Sequence, residues 1–214
     1  MNIAFICASP KHKNSASAAL LQDLKPLLTQ KTSIQEFTIT KPSLTKEQIE
    51  ELETYDTWVI AHPLYVDGIP SHLLSCLCQL EGELSPKQPI SVYAIVNYGF
   101  IGGQQAKHAL HILENWCIQA GLTWGMGIGL GGGGSLSAME NLPLGKGPKS
   151  QLGKAYLTFA QKILANETAE NVHTSLALPR FLYKWFAEKH WRAQFKANGG
   201  KKKDLNKIPA FVTK

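Results

Sequence analysis

Three short segments of this chain combine residue types that can hold an anion and a flat ring. The first, Ala8-Ser9-Pro10-Lys11-His12-Lys13-Asn14-Ser15-Ala16-Ser17, follows an apolar run and precedes a helical pattern. Hydroxyls, amides and cations gathered where a helix begins meet unpaired N–H groups and the positive end of the helix dipole, which suits a phosphate. The same residues also suit an ordinary capped turn with Asn14 or Ser15 as N-cap. The spacing is neither GxxxxGK[ST] nor GxGxxG. The second segment, His62-Pro63-Leu64-Tyr65-Val66-Asp67-Gly68-Ile69-Pro70-Ser71, mixes apolar and aromatic residues with two prolines and a turn glycine. It can wall a flat apolar ring while Asp67-Gly68 turns backbone amides toward the ring's polar edge. The plainer alternative packs Leu64, Tyr65 and Ile69 beneath the next helix. The third, Val96-Asn97-Tyr98-Gly99-Phe100-Ile101-Gly102-Gly103-Gln104, offers aromatic stacking surface and exposed backbone donors.

The elements that would position these segments alternate between two periodicities. Strand-like runs cover Ile3–Ala8, Ile34–Ile39, Trp58–Ala61, Ile90–Val96 and Leu122–Leu130. Helical spacing of apolar residues covers Ala16–Leu28, Gln104–Gln119, Thr45–Glu53, Ser71–Glu81 and Ser150–Asn166, with Thr45 and Gln48 placed as a capping box. Alternating strands and helices predict a parallel sheet wrapped on both faces, an α/β fold. A flavodoxin-like strand order 2-1-3-4-5 and a Rossmann-like order both remain open from the pattern. Either places a ligand beyond the carboxyl ends of the strands, just after strands one, three and four.

The 214 residues allow one domain with an appendage, and 44% apolar with 18% charged residues is an ordinary globular balance. No charged start precedes an apolar run at Met1, and no stretch reaches the roughly 20 residues of a membrane span, so a cytoplasmic protein is expected. Cys7, Cys76, Cys78 and Cys117 lack zinc or redox spacing and read as reduced thiols. His108 and His111 lie three apart on a predicted helix without a third ligand at fixed spacing, and no metal is expected. Gly127, Gly129 and Gly132 match GxGxxG, yet they fall within and after the fifth run rather than before a helix, so a closely packed or flexible loop is the better reading.

Charge is unevenly placed. From Leu178 to Lys214, ten Lys or Arg stand against Glu188 and Asp204, a balance of +8 within a chain of +6, which leaves the first 177 residues near −2. This makes the basic character weak evidence for nucleic acid, and none is expected as a partner. The segment from Leu178 through Phe195 reads as an aromatic, basic helix, followed by Asn198-Gly199-Gly200, Lys201-Lys202-Lys203 and Ile208-Pro209-Ala210-Phe211. Aromatics on more than one face favour self-packing or a second subunit over peripheral contact with an anionic membrane.

Ser9-Pro10-Lys11 followed by Asn14-Ser15-Ala16-Ser17 resembles the GSPR...NS/T phosphate loop of the NAD(P)H-dependent FMN reductases. Pro63-Leu64-Tyr65-Val66-Asp67-Gly68-Ile69-Pro70 resembles their ring-binding loop, and Asn97-Tyr98-Gly99-Phe100 their third FMN segment, in the family's order. The resemblance covers residues 1–170 and leaves 171–214 as a basic, aromatic-rich helical extension. It implies a flavodoxin-like three-layer fold with a five-stranded parallel sheet in order 2-1-3-4-5. FMN phosphate would then lie against Ser9, Lys11, Asn14, Ser15, Ala16 and Ser17. The ring would lie against Pro63 to Gly68 and Asn97 to Phe100. NAD(P)H would be the hydride donor, a quinone, nitro compound, flavin or partner protein the acceptor, and a homo-oligomer, dimer or tetramer, the assembly. Ala8 replaces the family's common glycine, and Lys11 its common arginine, which keeps charge but loses the bidentate fork. A flavodoxin-type electron carrier or a non-catalytic FMN-binding module is the alternative, although such carriers are usually strongly acidic.

Overall fold

The computed structural model describes residues 1–11, 15–139 and 141–205. Six strands, β1 (Asn2–Cys7), β2 (Ser33–Thr38), β3 (Thr57–Pro63), β4 (Ser91–Tyr98), β5 (Thr123–Gly131) and β6 (Val172–Ser175), form one sheet in the order β2-β1-β3-β4-β5-β6. Every neighbouring pair is parallel. The central strands β1, β3 and β4 are continuous apolar runs because both of their faces are covered. The edges β2 and β6 are exposed or half-buried throughout.

Helices α1 (Ala16–Leu24), α2 (Lys46–Leu52), α3 (Ser71–Glu83), α4 (Lys107–Gln119) and α5 (Ser150–Ala165) cross over between strands. Side chains alternate across the sheet, so Trp58 and Ile60 of β3 and Val92, Ala94 and Val96 of β4 share one face with the buried stripes of α2, α3 and α4. There the Trp58 and Trp116 rings stack at 6.5 Å, and each indole N–H reaches a helix carbonyl, Leu52 O at 3.0 Å and Leu77 O at 2.8 Å. On the other face the Tyr93 ring meets Phe159 of α5 edge-on at 5.7 Å, and the Tyr156 hydroxyl donates to Leu20 O of α1 at 3.0 Å. The result is three layers.

The five-stranded expectation is corrected to six. Val172-His173-Thr174-Ser175 carries no apolar run, which is why it was assigned to the extension from residue 171. It pairs because Asn171 accepts the Gly127 N–H at 2.7 Å, and because Ala169 N–H and Leu176 N–H donate to Gly125 O and Gly131 O. Pro63, Asn97 and Tyr98 are also strand residues, not loop residues: Pro63 pairs Asn97, which pairs Leu130, and Tyr98 pairs Gly131. Helix α1 stops at Leu24, before the expected Leu28, and passes into a 3₁₀ turn at Lys25–Leu27 because Pro26 has no amide to continue the ladder. The capping box at Thr45 and Gln48 is formed in both directions. Gly127 is closely packed, since a Cβ there would lie 2.5 Å from Leu110 Cδ2.

Contacts divide the chain into Met1–Ala177 and Leu178–Lys214. The second unit contains α6 (Arg180–Ala197), none of whose side chains is buried. Ile208 to Phe211 lie outside the described residues.

One charged pair braces α1 against the segment leading into α5. Lys149, 2% exposed, donates to Asp23 at 2.8 and 3.0 Å. Removing one member of a buried pair strands the other charge, whereas replacing both with apolar residues removes the desolvation penalty as well. Asp23→Leu should therefore lower stability by about 3 kcal/mol or more in urea unfolding, and Asp23→Leu with Lys149→Met should recover most of that loss. A double variant no more stable than the single one would contradict the bracing account.

Candidate functional site

A cleft of about 160 Å³ opens at the carboxyl ends of β1, β3 and β4, where the strand order reverses between β1 and β3. Its floor at one end is the start of α1. Ser15 caps that helix, with φ −77° and ψ 126°, and its Oγ accepts the Ala18 N–H at 3.4 Å. The first intrahelical bond runs from Ala19 N–H to Ser15 O, so the amides of Ala16 and Ser17 precede the ladder. No acidic side chain occupies the first turn, so no carboxylate there neutralises the positive end of the helix, and Ala16 and Ser17 line the cleft. Ser9 and Ser17 are both buried and both line the cleft, with Lys11 above them. The Ser9 Oγ accepts the Lys11 N–H at 3.3 Å, a local turn that follows the end of β1.

The second wall comes from the end of β3. Pro63, Leu64 and Tyr65 line the cleft, and the Leu64 N–H continues the ladder by donating to Asn97 O at 2.8 Å. Beyond them the chain turns back in two residues. Tyr65 N–H donates to Gly68 O at 3.1 Å and Gly68 N–H to Tyr65 O at 3.0 Å, with Val66 at φ +49° and Asp67 at φ +57°. Two positive φ values at the centre belong to a primed hairpin turn. Asp tolerates this conformation, but a β-branched Val is strained in it, and Val66 is fully exposed, so no packing offsets the strain. The Gly68 amide closes the turn rather than facing a ligand, contrary to the sequence expectation for Asp67-Gly68.

Asn97 joins the walls. It ends β4 on the face toward α1, where its Nδ2 donates to Ser17 Oγ at 2.8 Å and to His62 O at 3.1 Å. Tyr98 points the other way into the core, its hydroxyl donating to Gly102 O, and burial pushes its pKa up to about 12. It anchors the Gly99–Gly102 loop rather than offering its ring for stacking. Gly99 lines the cleft, while Phe100 stands exposed at 68% outside the lining. A fourth segment, absent from the sequence-predicted site, closes the far side: Gly133 and Gly134 line the cleft just after β5. A Cβ on Gly133 would lie 3.1 Å from Asn97 Oδ1. The glycine cluster itself is the signal in the sequence, where it reads as a closely packed or flexible loop.

The structure thus brings Ser9, Lys11, Ala16, Ser17, Pro63, Leu64, Tyr65, Asn97, Tyr98 and Gly99 around one cleft. Ser15, Val66, Asp67, Gly68 and Phe100 belong to the same loops but not to the lining. Asn14 lies outside the described residues. Among the described residues no three His, Cys, Asp or Glu converge as a metal site needs.

No family model and no curated protein sequence matches this chain. Solved structures do. An NADPH-quinone reductase from P. pentosaceus superposes with a TM-score of 0.56 at 13% identity, over 78% of this chain and 99% of that one. An NAD(P)H:quinone oxidoreductase from Methanothermobacter marburgensis gives 0.53 at 14% identity, over 78% and 95%. An azoreductase from Bacillus anthracis gives 0.50 at 14% identity, over 78% and 99%. At such identities the likeness is one of fold, and with the strand order it is consistent with a flavodoxin-like α/β architecture.

His62 sits directly behind the second wall. Its strand position places it on the core face with Trp58 and Ile60, where it is fully buried, and burial pushes its pKa down from 6.5 to about 4. Its Nδ1 carries the proton donated to Pro63 O at 2.9 Å, the assignment the carbonyl partner requires, and its Nε2 has no protein partner. The native state therefore holds a neutral imidazole. Its contribution to stability is fully present above pH 6.5, where the unfolded chain is also neutral, and is lost as pH falls toward about 4. Between pH 7 and 5 the wild type should lose about 2 kcal/mol more in urea unfolding than His62→Gln does. Equal pH dependence of the two proteins would contradict a buried neutral His62.

Proposed function

We propose that the cleft binds FMN and that the protein is a flavin-dependent oxidoreductase using NAD(P)H. The observation that carries this reading is the joining of an open helix N-terminus to an apolar-walled cleft through one side chain, Asn97. An anion site and a ring site sharing a wall match a mononucleotide, and they lie where doubly wound sheets bind such ligands. Two features of the residues fit FMN. Buried Ser9 and Ser17 hydroxyls beside the α1 amides match a phosphate, and the Pro63-Leu64-Tyr65 wall beside the small glycines 99, 133 and 134 admits a flat ring. The fold shared with quinone and azo reductases agrees with the reading.

When bound, FMN supplies the two-electron chemistry, accepting hydride from a nicotinamide and passing the electrons to a small acceptor such as a quinone, nitro compound or flavin. The chain binds and orients. Ser9, Lys11, Ser17 and the first α1 amides would hold the phosphate. Leu64 and Tyr65 would keep water from one side of the ring, and the two-residue turn holds Tyr65 in place without reorganisation on binding. Asn97, bonded to Ser17 and to the His62 carbonyl, would hold the phosphate-side and ring-side walls together. His62 is neutral near pH 7 and adds no charge behind the ring. Assembly as a homo-oligomer belongs to the same proposal.

Hydrogen bonds to a charged group contribute about 1.5–3 kcal/mol each. Ser9→Ala combined with Ser17→Ala should weaken FMN binding by about 100-fold, read as the recovery of flavin fluorescence on dilution. Anaerobic addition of NADPH or NADH to the FMN-loaded wild type should bleach the flavin band. Unchanged FMN affinity in the double variant removes the phosphate assignment, and binding without bleaching removes the NAD(P)H-dependent activity.

A further inference from the structure

The second unit carries a surface that the proposed redox chemistry leaves unused. Helix α6 has six aromatic residues in eighteen, and four large apolar side chains remain exposed: Phe181 at 71%, Trp185 at 54%, Phe186 at 49% and Trp191 at 65%. Spacings of three and four residues place Phe181, Trp185, Glu188 and Arg192 on one face, flanked by Lys184, Lys189, Trp191 and Lys196. The single acid of the helix is engaged from both sides, by Arg192 at 3.0 Å and Lys184 at 4.0 Å. The face is cationic, and the sequence adds Lys201-Lys202-Lys203 immediately after it.

We infer, against the sequence expectation of self-packing or a second subunit, that α6 docks on the surface of an anionic lipid bilayer, its Phe181–Trp185 face in the headgroup boundary and its flanking cations on the lipid phosphates. Aromatic residues with one polar and one apolar end concentrate at that boundary, and basic residues are drawn to anionic leaflets. Charge complementarity selects this occupant. The Leu178–Lys214 segment carries +8, which disfavours the same segment of a second copy, while the remainder of the chain, near −2, offsets little of it. A base-stacking role fits less well, because the Trp185 ring already has the Lys189 ammonium over one face at 5.2 Å and Phe186 set at 70° beside it. No helix of the described residues is long and apolar enough to cross a membrane, so contact would be at the surface.

Co-sedimentation of the full chain with vesicles tests this. Vesicles of equal phosphatidylglycerol and phosphatidylcholine should retain the protein at least about 10-fold better than phosphatidylcholine alone, and high salt should release it. Trp185→Ala with Trp191→Ala, and separately Lys184→Gln with Arg192→Gln, should each reduce retention by about 10-fold with the far-ultraviolet circular dichroism unchanged. Equal retention by the two vesicle types, retention by neither, or indifference to both double variants overturns the inference. So does binding to single-stranded RNA without binding to anionic vesicles, which would make a nucleic acid the partner.

Discussion

Asn97 is the constraint on which the cleft rests. The Asn97 side-chain amide, near the end of a central strand and almost wholly buried, has two N–H donors to satisfy, and protein groups meet both. Here the Nδ2 donors reach Ser17 in α1 and the His62 carbonyl in β3, and the backbone carbonyl takes the Leu64 N–H. Three chain segments far apart in sequence are thereby held at fixed separations. The glycine at position 133 then follows from the same requirement, because a side chain there would crowd the Asn97 amide. A site built in this way needs little rearrangement to receive a ligand.

Much of the architecture was legible because central parallel strands are buried on both faces and cannot hide an apolar run. The runs at Ile3, Trp58, Ile90 and Leu122 all became strands. β6 was not legible, because an edge strand of four residues needs no apolar face, and its pairing comes from Asn171, Ala169 and Leu176 reaching β5. The boundaries of β3 and β4 were misplaced for a related reason. Proline and Asn-Tyr-Gly are turn signals locally, yet the ladder between Pro63 and Asn97 extends both strands into the site. Of the candidate site, the residue types at Ser9, Ser17, Leu64, Tyr65 and Asn97 announced themselves. The inward turn of Tyr98 and the burial of His62 depend on tertiary packing that no local pattern records.

Conformational strain and charge are both concentrated at edges of the molecule's function. Val66 holds an unfavourable backbone conformation at the mouth of the cleft, secured by the reciprocal bonds between Tyr65 and Gly68. Strain of this kind persists only when neighbouring bonds hold it, as the Tyr65–Gly68 pair does here. The excess positive charge sits instead on the C-terminal unit, with +8 from Leu178 to Lys214.

The decisive measurement is a crystal structure of the chain grown with saturating FMN. The account predicts the phosphate within hydrogen-bond reach of Ser9 Oγ and the Ala16 and Ser17 amides, with the ring against Leu64 and Tyr65. FMN density elsewhere, or none despite saturation, would contradict it.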